Sequence, residues 1–185
     1  VRTVWALAQG APGLISAGSR HSPHVHRVAA IAQRLGIPCR VHVATGENTP
    51  DVQGAQDADA EIIRHKAGYL NVLNARARED AEACGWTLIP FGVVCPEAVK
   101  QVSGQVDNLP QEIKRLVVPV GSGITLSGIL QGLKRIGRSL PILGVCVGKD
   151  ALEVLDQYAP KNWRASVELV QSPLKFEAHP KETHL

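Results

Sequence analysis

The feature that most constrains the fold is a strand–loop–helix signature in the middle of the chain. Residues 116–120 form an apolar, β-prone run, which Gly121, Ser122 and Gly123 follow before helical spacing of apolar residues begins at Ile124. This order is typical of a strand that ends in a tight loop and continues into a helix. Such a loop can direct several backbone N–H groups to one point, where the helix dipole favours an anion such as a phosphate.

Two interpretations of this loop stay open from its residues alone. Glycine lets an anion approach the backbone closely, and Ser122 and Thr125 would add hydroxyl donors. The same residues also fit an ordinary strand-to-helix turn in which Thr125 only caps the helix. No lysine follows the second glycine, so the Walker phosphate motif is absent.

Short apolar strands alternate with helices along most of the chain. Strands are predicted at 14–17, 39–44, 69–73, 87–89, 116–120 and 141–147. Helices are predicted at 2–9, 24–35, 57–66, 75–84, 96–106, 125–136 and 150–157, and the chain after residue 163 has no clear element. This alternation predicts an α/β fold with parallel sheets and helices on both faces.

Composition excludes several functional classes. A chain of 185 residues with 44% apolar residues can bury a sizeable core. The formal charge of +3 is dispersed, so we expect no nucleic-acid partner. No apolar stretch is long enough for a membrane helix, and the first residues are not a secretory signal, so we expect no membrane association and a cytoplasmic location. The four cysteines are far apart, which favours reduced thiols over a disulfide framework or a zinc site.

A second polar loop lies between the predicted strand 14–17 and the helix 24–35. Three histidines, His21, His24 and His26, are crowded there with Ser22. Ligand sites of open parallel sheets lie at the carboxyl ends of strands, so this cluster is a candidate site. The alternative is a solvated loop in which Ser22 caps the helix. A metal site formed by the three histidines is less favoured, because helical residues two apart do not share a face.

Together the two loops resemble those of pyridoxal-phosphate enzymes with the tryptophan synthase β fold (fold type II). The nearest branch is that of 1-aminocyclopropane-1-carboxylate deaminase and D-cysteine desulfhydrase. Residues 121–125 resemble the Gly-Ser/Thr-Gly-Gly-Thr phosphate cup, with Ile124 in place of the third glycine.

The earlier loop resembles the family's Gly-Gly-x-Gln-Ser-Asn-His segment. Gly18, Ser22 and His24 match this segment, whereas His21 takes the glutamine position and Pro23 the asparagine position. In the family that asparagine contacts the cofactor's phenolic oxygen. Here either another group, such as His21 or His24, would serve, or that contact would be lost.

The resemblance implies that both loops serve one cofactor, pyridoxal 5'-phosphate. Its phosphate would be held by Gly121, Ser122, Gly123, Ile124 and Thr125. Ser22 would lie near the substrate carboxylate or act in proton transfer. His21 and His24 would be candidate acid/base groups, because the unperturbed pKa of histidine lies near working pH. The implied substrate is a small amino acid undergoing deamination, β-elimination or β-replacement.

The resemblance also implies two domains and a homodimer. Residues 1–92 would form the small α/β domain with the Ser22 loop, and residues 93–185 part of the large α/β domain with the phosphate loop. The family's Schiff-base lysine would fall just before Val1, and methionine is absent, so we expect an excerpt of a longer protein or one segment of a split protein.

Two rival functions stay open. One is a catalytically silent member of the same fold that binds a phosphorylated ligand or a partner, which the proline at the asparagine position favours. The other is an unrelated Rossmann-like nucleotide binder, although the Gly18 loop lacks the G-x-G-x-x-G pattern that such a site needs.

Overall fold

A computed structural model describes residues 1–66, 69–147 and 151–173 of the chain. The chain divides into two compact units, the first of which is Val1–Val93, while the second begins at Val94. Within the described ranges, no helix has both the length and the apolar character that crossing a membrane requires.

The first unit is built on a four-stranded parallel sheet. Its strands are β1 (Leu14–Ala17), β2 (Cys39–Ala44), β3 (Glu61–His65) and β4 (Thr87–Ile89), in the spatial order β3-β2-β1-β4. Its helices are α1 (Arg2–Ala8), α2 (Pro23–Leu35), α3 (Pro50–Asp57) and α4 (Leu70–Cys84).

Helices cover both faces of this sheet, which explains why β1 is buried along its whole length. Leu14 packs among residues of α1, α2 and α3, whereas Ile15 packs on the opposite face against Leu73 and Ala77 of α4. Helix α2 ends at Gly36, whose φ of 66° closes the helix with a left-handed cap. The central strand therefore carries its carboxyl end, and the loop after it, on a rigid support.

The second unit contains a three-stranded parallel sheet. Its strands are β5 (Leu116–Val120), β6 (Ile142–Cys146) and β7 (Val167–Gln171), in that spatial order. Its helices are α5 (Pro96–Gln105), α6 (Ile124–Arg135) and α7 (Leu152–Tyr158). Val118 and Val120 pack with Leu126 of α6 and Leu155 of α7, whereas Val117 on the other side of β5 is 63% exposed.

The predicted α/β class with parallel sheets is confirmed, but two local predictions are wrong, and helix α3 and strand β7 were not predicted. Asp57 ends helix α3, and the residues after it form a turn and strand β3 instead of the predicted helix 57–66, because pairing with β2 outweighs the helix preference of the segment. Residues 70–73 open helix α4 instead of forming a strand. Strand β7, which no pattern predicted, pairs with β6.

Candidate functional site

The loop of residues 121–125, called here the Gly121 loop, connects β5 to α6. Gly123 is the N-cap of α6 and has a φ of 88°, in the left-handed region that favours glycine. A Cβ at this position would lie 3.0 Å from the carbonyl oxygen of Ala151. Both constraints require glycine here, and they fix the direction in which the first turn of α6 opens.

Several hydrogen-bond donors at this end of α6 are unused. The N–H of Ser127 donates to the Gly123 carbonyl at 2.9 Å, and the N–H of Ile124 lies 3.5 Å from Ser122 Oγ. Among the described residues, none accepts a hydrogen bond from the N–H groups of Thr125 and Leu126. Such free N–H groups are the usual ligands of an anion at a helix N-terminus.

Side-chain exposure agrees with an anion site at the Gly121 loop. Gly121, Ser122 and Thr125 are exposed, and a Cβ at Gly121 would meet nothing within 4 Å, so the space beside this backbone is open. The two hydroxyl groups and the free N–H groups form a neutral set of donors, and the dipole of α6 adds a partial positive charge. The residues present therefore fit a phosphate group.

The loop of residues 18–22, called here the Ser22 loop, connects β1 to α2. Ser22 is the N-cap of α2, and its Oγ accepts a hydrogen bond from the His24 N–H at 3.3 Å. Pro23 occupies the first helical position, where its missing N–H costs nothing. The capping role that we considered as an alternative is therefore real, although it leaves the hydrogen of the Ser22 hydroxyl available.

The ring of His24 is held inside the unit. Its Nε2 lies 2.8 Å from Ser16 Oγ, and the His24 and Phe91 rings form a T-shaped contact at a centroid distance of 6.5 Å. Burial, the largest cause, and the positive charge of Arg27 lower the pKa of His24 to about 4. This pKa lies below the unperturbed histidine value near working pH, because desolvation disfavours the charged ring.

The three histidines of this region point to different surroundings. His21 is exposed, His24 contacts Ser16, and the ring of His26 covers Gly54 of α3, where an added Cβ would lie 2.7 Å from the ring. Across residues 1–66, 69–147 and 151–173, no group of three or more His, Cys, Asp or Glu side chains could hold a metal ion.

Sequence reasoning missed Ser16. This residue is fully buried in β1, and its Oγ donates to the Ile89 carbonyl at 2.9 Å as well as contacting His24. A serine within the apolar strand 14–17 was a signal that could have found it, because a buried hydroxyl needs a partner.

A second polar cluster lies on the α4 side of the same sheet. His42 is buried, and its Nε2 lies 3.0 Å from Asp80 while its Nδ1 lies 2.9 Å from His65 Nε2. Arg40 pairs with Asp80 at 2.9 Å. Because these contacts join β2, β3 and α4, the cluster stabilises the sheet that carries the Ser22 loop.

Comparison with known proteins places these features in a family. The family described as "pyridoxal-phosphate dependent enzyme" matches residues 1–171. The chain is 27% identical over 172 residues to D-cysteine desulfhydrase of Klebsiella pneumoniae, covering 81% of this chain and 51% of that protein. It is 30% identical over 141 residues to the biosynthetic L-threonine dehydratase of Pasteurella multocida, covering 74% of this chain and 26% of that enzyme.

A solved structure gives the same result for the fold. The crystal structure of a homologue of ACC deaminase matches with a TM-score of 0.71 at 23% identity, covering 90% of this chain and 57% of that one. The chain spans about half the length of the curated D-cysteine desulfhydrases that it matches.

Proposed function

The chain belongs to the family of pyridoxal-phosphate-dependent enzymes, and we propose that it acts with this cofactor on a small amino acid, by deamination, β-elimination or β-replacement. The family confirms pyridoxal 5'-phosphate, the cofactor expected from the two loops. The observation that carries the proposal is the open N-terminus of α6, where the N–H groups of Thr125 and Leu126 lack partners among the described residues. Those donors match the one strongly anionic group of the cofactor.

The residues that would hold the cofactor's phosphate are those of the Gly121 loop. The N–H groups of Thr125 and Leu126 would donate to its oxygens, and the hydroxyls of Ser122 and Thr125 would add two further donors. Gly123 would keep this turn in its left-handed conformation. When bound, pyridoxal phosphate supplies an electron sink for the bonds at the substrate Cα. The protein orients the cofactor and selects which of these bonds breaks.

The Ser22 loop is proposed to act on the amino acid. The Ser22 hydroxyl accepts from the His24 N–H, so its own hydrogen can be donated to a substrate carboxylate. His21 is exposed and remains the proposed acid/base group of this loop. His24 is proposed to be neutral at pH 7, because its pKa is lowered to about 4.

The proposed substrate class, a small amino acid, is supported by the substrates for which the relatives are named. D-cysteine desulfhydrase and L-threonine dehydratase are named for small amino acids with a polar group on Cβ. Loss of that group is β-elimination, which we propose as the reaction subtype. The cytoplasmic location and the homodimer stay predictions.

The proposal is tested by comparing pyridoxal phosphate with pyridoxal, which lacks the phosphate. We expect pyridoxal phosphate to bind the wild-type protein and Thr125→Ala to weaken its affinity by roughly tenfold to a hundredfold, because a hydrogen bond to a charged group is lost. Thr125→Ser keeps the hydroxyl and should retain most of the affinity. Binding is measured by titration followed by the absorbance of the bound cofactor.

Pyridoxal provides the control for the phosphate contact. Its weaker binding should be the same in the wild type and in Thr125→Ala. Equal loss of both ligands would mean that Thr125 does not contact the phosphate, and absence of pyridoxal phosphate binding would remove the proposed function.

The catalytically silent alternative is favoured by one feature, the proline at position 23 in place of the family's asparagine. It predicts cofactor binding without turnover. Incubation of the loaded protein with D-cysteine or L-threonine, followed by assays for ammonia and sulfide, separates the two functions.

A further inference from the structure

The contacts of Ser16 determine the state of the His24 ring. The Oγ of Ser16 lies 2.9 Å from the Ile89 carbonyl oxygen and 2.8 Å from His24 Nε2. A serine hydroxyl has one hydrogen to donate, and a carbonyl oxygen can only accept. If Ser16 donated to His24 instead, two oxygen atoms would face each other at 2.9 Å with no hydrogen between them. The hydrogen of Ser16 therefore goes to Ile89, and Ser16 accepts from His24.

This count of hydrogens assigns the tautomer of His24. Because Ser16 accepts, the ring hydrogen of His24 is on Nε2. In the neutral ring the other nitrogen, Nδ1, then carries a lone pair. The lowered pKa of His24 agrees with a neutral ring at pH 7.

The Nδ1 atom of His24 faces solvent. Within the described residues, His24 Nδ1 has no hydrogen-bond partner. The only buried side-chain N or O atom without a partner in these residues is Ser127 Oγ, so Nδ1 is not buried and is accessible to solvent. His24 follows the Ser22 loop directly, in the first turn of α2.

We propose that Ser16 is a positioning residue that fixes His24 with its hydrogen on Nε2 and its lone pair on Nδ1, so that His24 meets a ligand at the Ser22 loop as a hydrogen-bond acceptor. The matching ligand group is one that brings a hydrogen, an ammonium or a hydroxyl. A carboxylate or phosphate oxygen would be repelled by the lone pair. The use of this acceptor for the amino group of an amino acid rests on the proposed function, whereas the tautomer does not.

Nitrogen NMR of the histidine rings tests this proposal on the full chain without any ligand. Long-range ¹H–¹⁵N correlations distinguish a protonated ring nitrogen from one with a lone pair, and His24→Gln identifies the signals among the seven histidines. At pH 7.5 we expect the Nε2–H tautomer of His24 to dominate by roughly tenfold or more, because the alternative leaves the Oγ of Ser16 and the carbonyl oxygen of Ile89 facing each other at 2.9 Å with no hydrogen between them. A dominant Nδ1–H tautomer, or a charged ring, would overturn the proposal with no variant needed.

Two variants separate positioning from general packing. Ser16→Ala should lower the tautomer ratio of His24 by roughly fivefold or more, because the acceptor for Nε2–H is lost. Ser127→Ala removes a buried serine hydroxyl that has no partner in the described part of the chain, and it should leave the His24 signals unchanged. An unchanged ratio in Ser16→Ala would show that Ser16 does not set the tautomer.

The result is independent of the outcome for the cofactor. A chain with the expected tautomer that takes up no pyridoxal phosphate would contradict the proposed function and leave the role of Ser16 intact. A chain that binds the cofactor but has the Nδ1–H tautomer would contradict the role of Ser16 and leave the proposed function intact.

Discussion

At the scale of single residues, Gly123 is the position on which the Gly121 loop depends. Its φ of 88° excludes most side chains, and a Cβ there would approach the Ala151 carbonyl oxygen to 3.0 Å. We expect Gly123→Ala to lower the free energy of unfolding by about 1–3 kcal/mol, measured by urea denaturation.

Gly121 is the matched control for this substitution. It belongs to the same loop, but its φ is not positive and a Cβ there would meet nothing within 4 Å. Gly121→Ala should therefore change stability by no more than about 0.5 kcal/mol. Equal destabilisation by both substitutions would contradict the role assigned to the left-handed conformation.

His24 gives the protein a specific dependence of stability on pH. Its pKa is about 4 in the folded chain, against the ordinary histidine value of 6.5 in an unfolded chain, so between these values the unfolded state binds one more proton. The stability linked to His24 is complete above pH 6.5 and is lost as the pH falls toward 4, by about 3 kcal/mol in all. His24→Gln removes this dependence, which urea denaturation at about pH 8 and about pH 4 measures as a smaller difference between the two conditions.

The sequence alone could identify the residues of both loops, but not the partner of His24. Each loop lies between a predicted strand and a predicted helix, and this position identified Ser22, His24 and residues 121–125 as candidates. Ser16 and Ile89 are 73 residues apart, and only the pairing of β1 with β4 brings them together. The lowered pKa of His24 could not be predicted for the same reason, since burial depends on the packed fold.

At the scale of helices and strands, α5 and α6 pack closely because glycines face the contact. A Cβ at Gly132 would lie 2.6 Å from the Ser103 carbonyl oxygen, and one at Gly128 would lie 2.5 Å from Val102 Cβ. This contact supports α6, whose first turn forms the proposed phosphate site.

We expect Gly132→Ala to destabilise the protein by about 1–3 kcal/mol, because backbone atoms would have to move apart. The helix propensity of alanine, about 1 kcal/mol better than that of glycine, works in the opposite direction and is outweighed. Gly104 in α5 is the control, since a Cβ there would meet nothing within 4 Å. Gly104→Ala should stabilise by up to about 1 kcal/mol, and destabilisation by both would contradict close packing as the cause.

Prediction succeeded where apolar residues recur at the spacing of the element and a glycine follows its last residue, as Gly36 follows α2. Prediction failed at β3, where the segment 57–66 contains alanines and charged residues that favour a helix. There Asp59 adopts a φ of 61° in a turn, and the strand forms because β2 offers an edge to pair with. Helix α4 was shortened in the prediction because apolar residues at 69–73 resemble a strand, whereas the burial of Leu73, Ala77 and Ala81 follows the helical period.

At the scale of the whole molecule, each unit has its own core and its own candidate loop. The Ser22 loop belongs to the first unit and the Gly121 loop to the second. The proposed function assigns both loops to one ligand. If both loops bind one ligand, a substitution in the loop of one unit should change the protection that the ligand gives to the loop of the other unit.

Hydrogen–deuterium exchange tests that prediction. Pyridoxal phosphate should slow exchange at the N–H groups of Thr125 and Leu126, which lack partners among the described residues, and also in the Ser22 loop. Inorganic phosphate should slow exchange only at the start of α6, because it carries nothing for the Ser22 loop to bind. At a limiting cofactor concentration, Thr125→Ala should reduce protection in both loops together, since the same binding event protects both. Protection of the Ser22 loop that persists in Thr125→Ala would mean that two separate ligands are bound, and the assignment of both loops to one cofactor would be wrong.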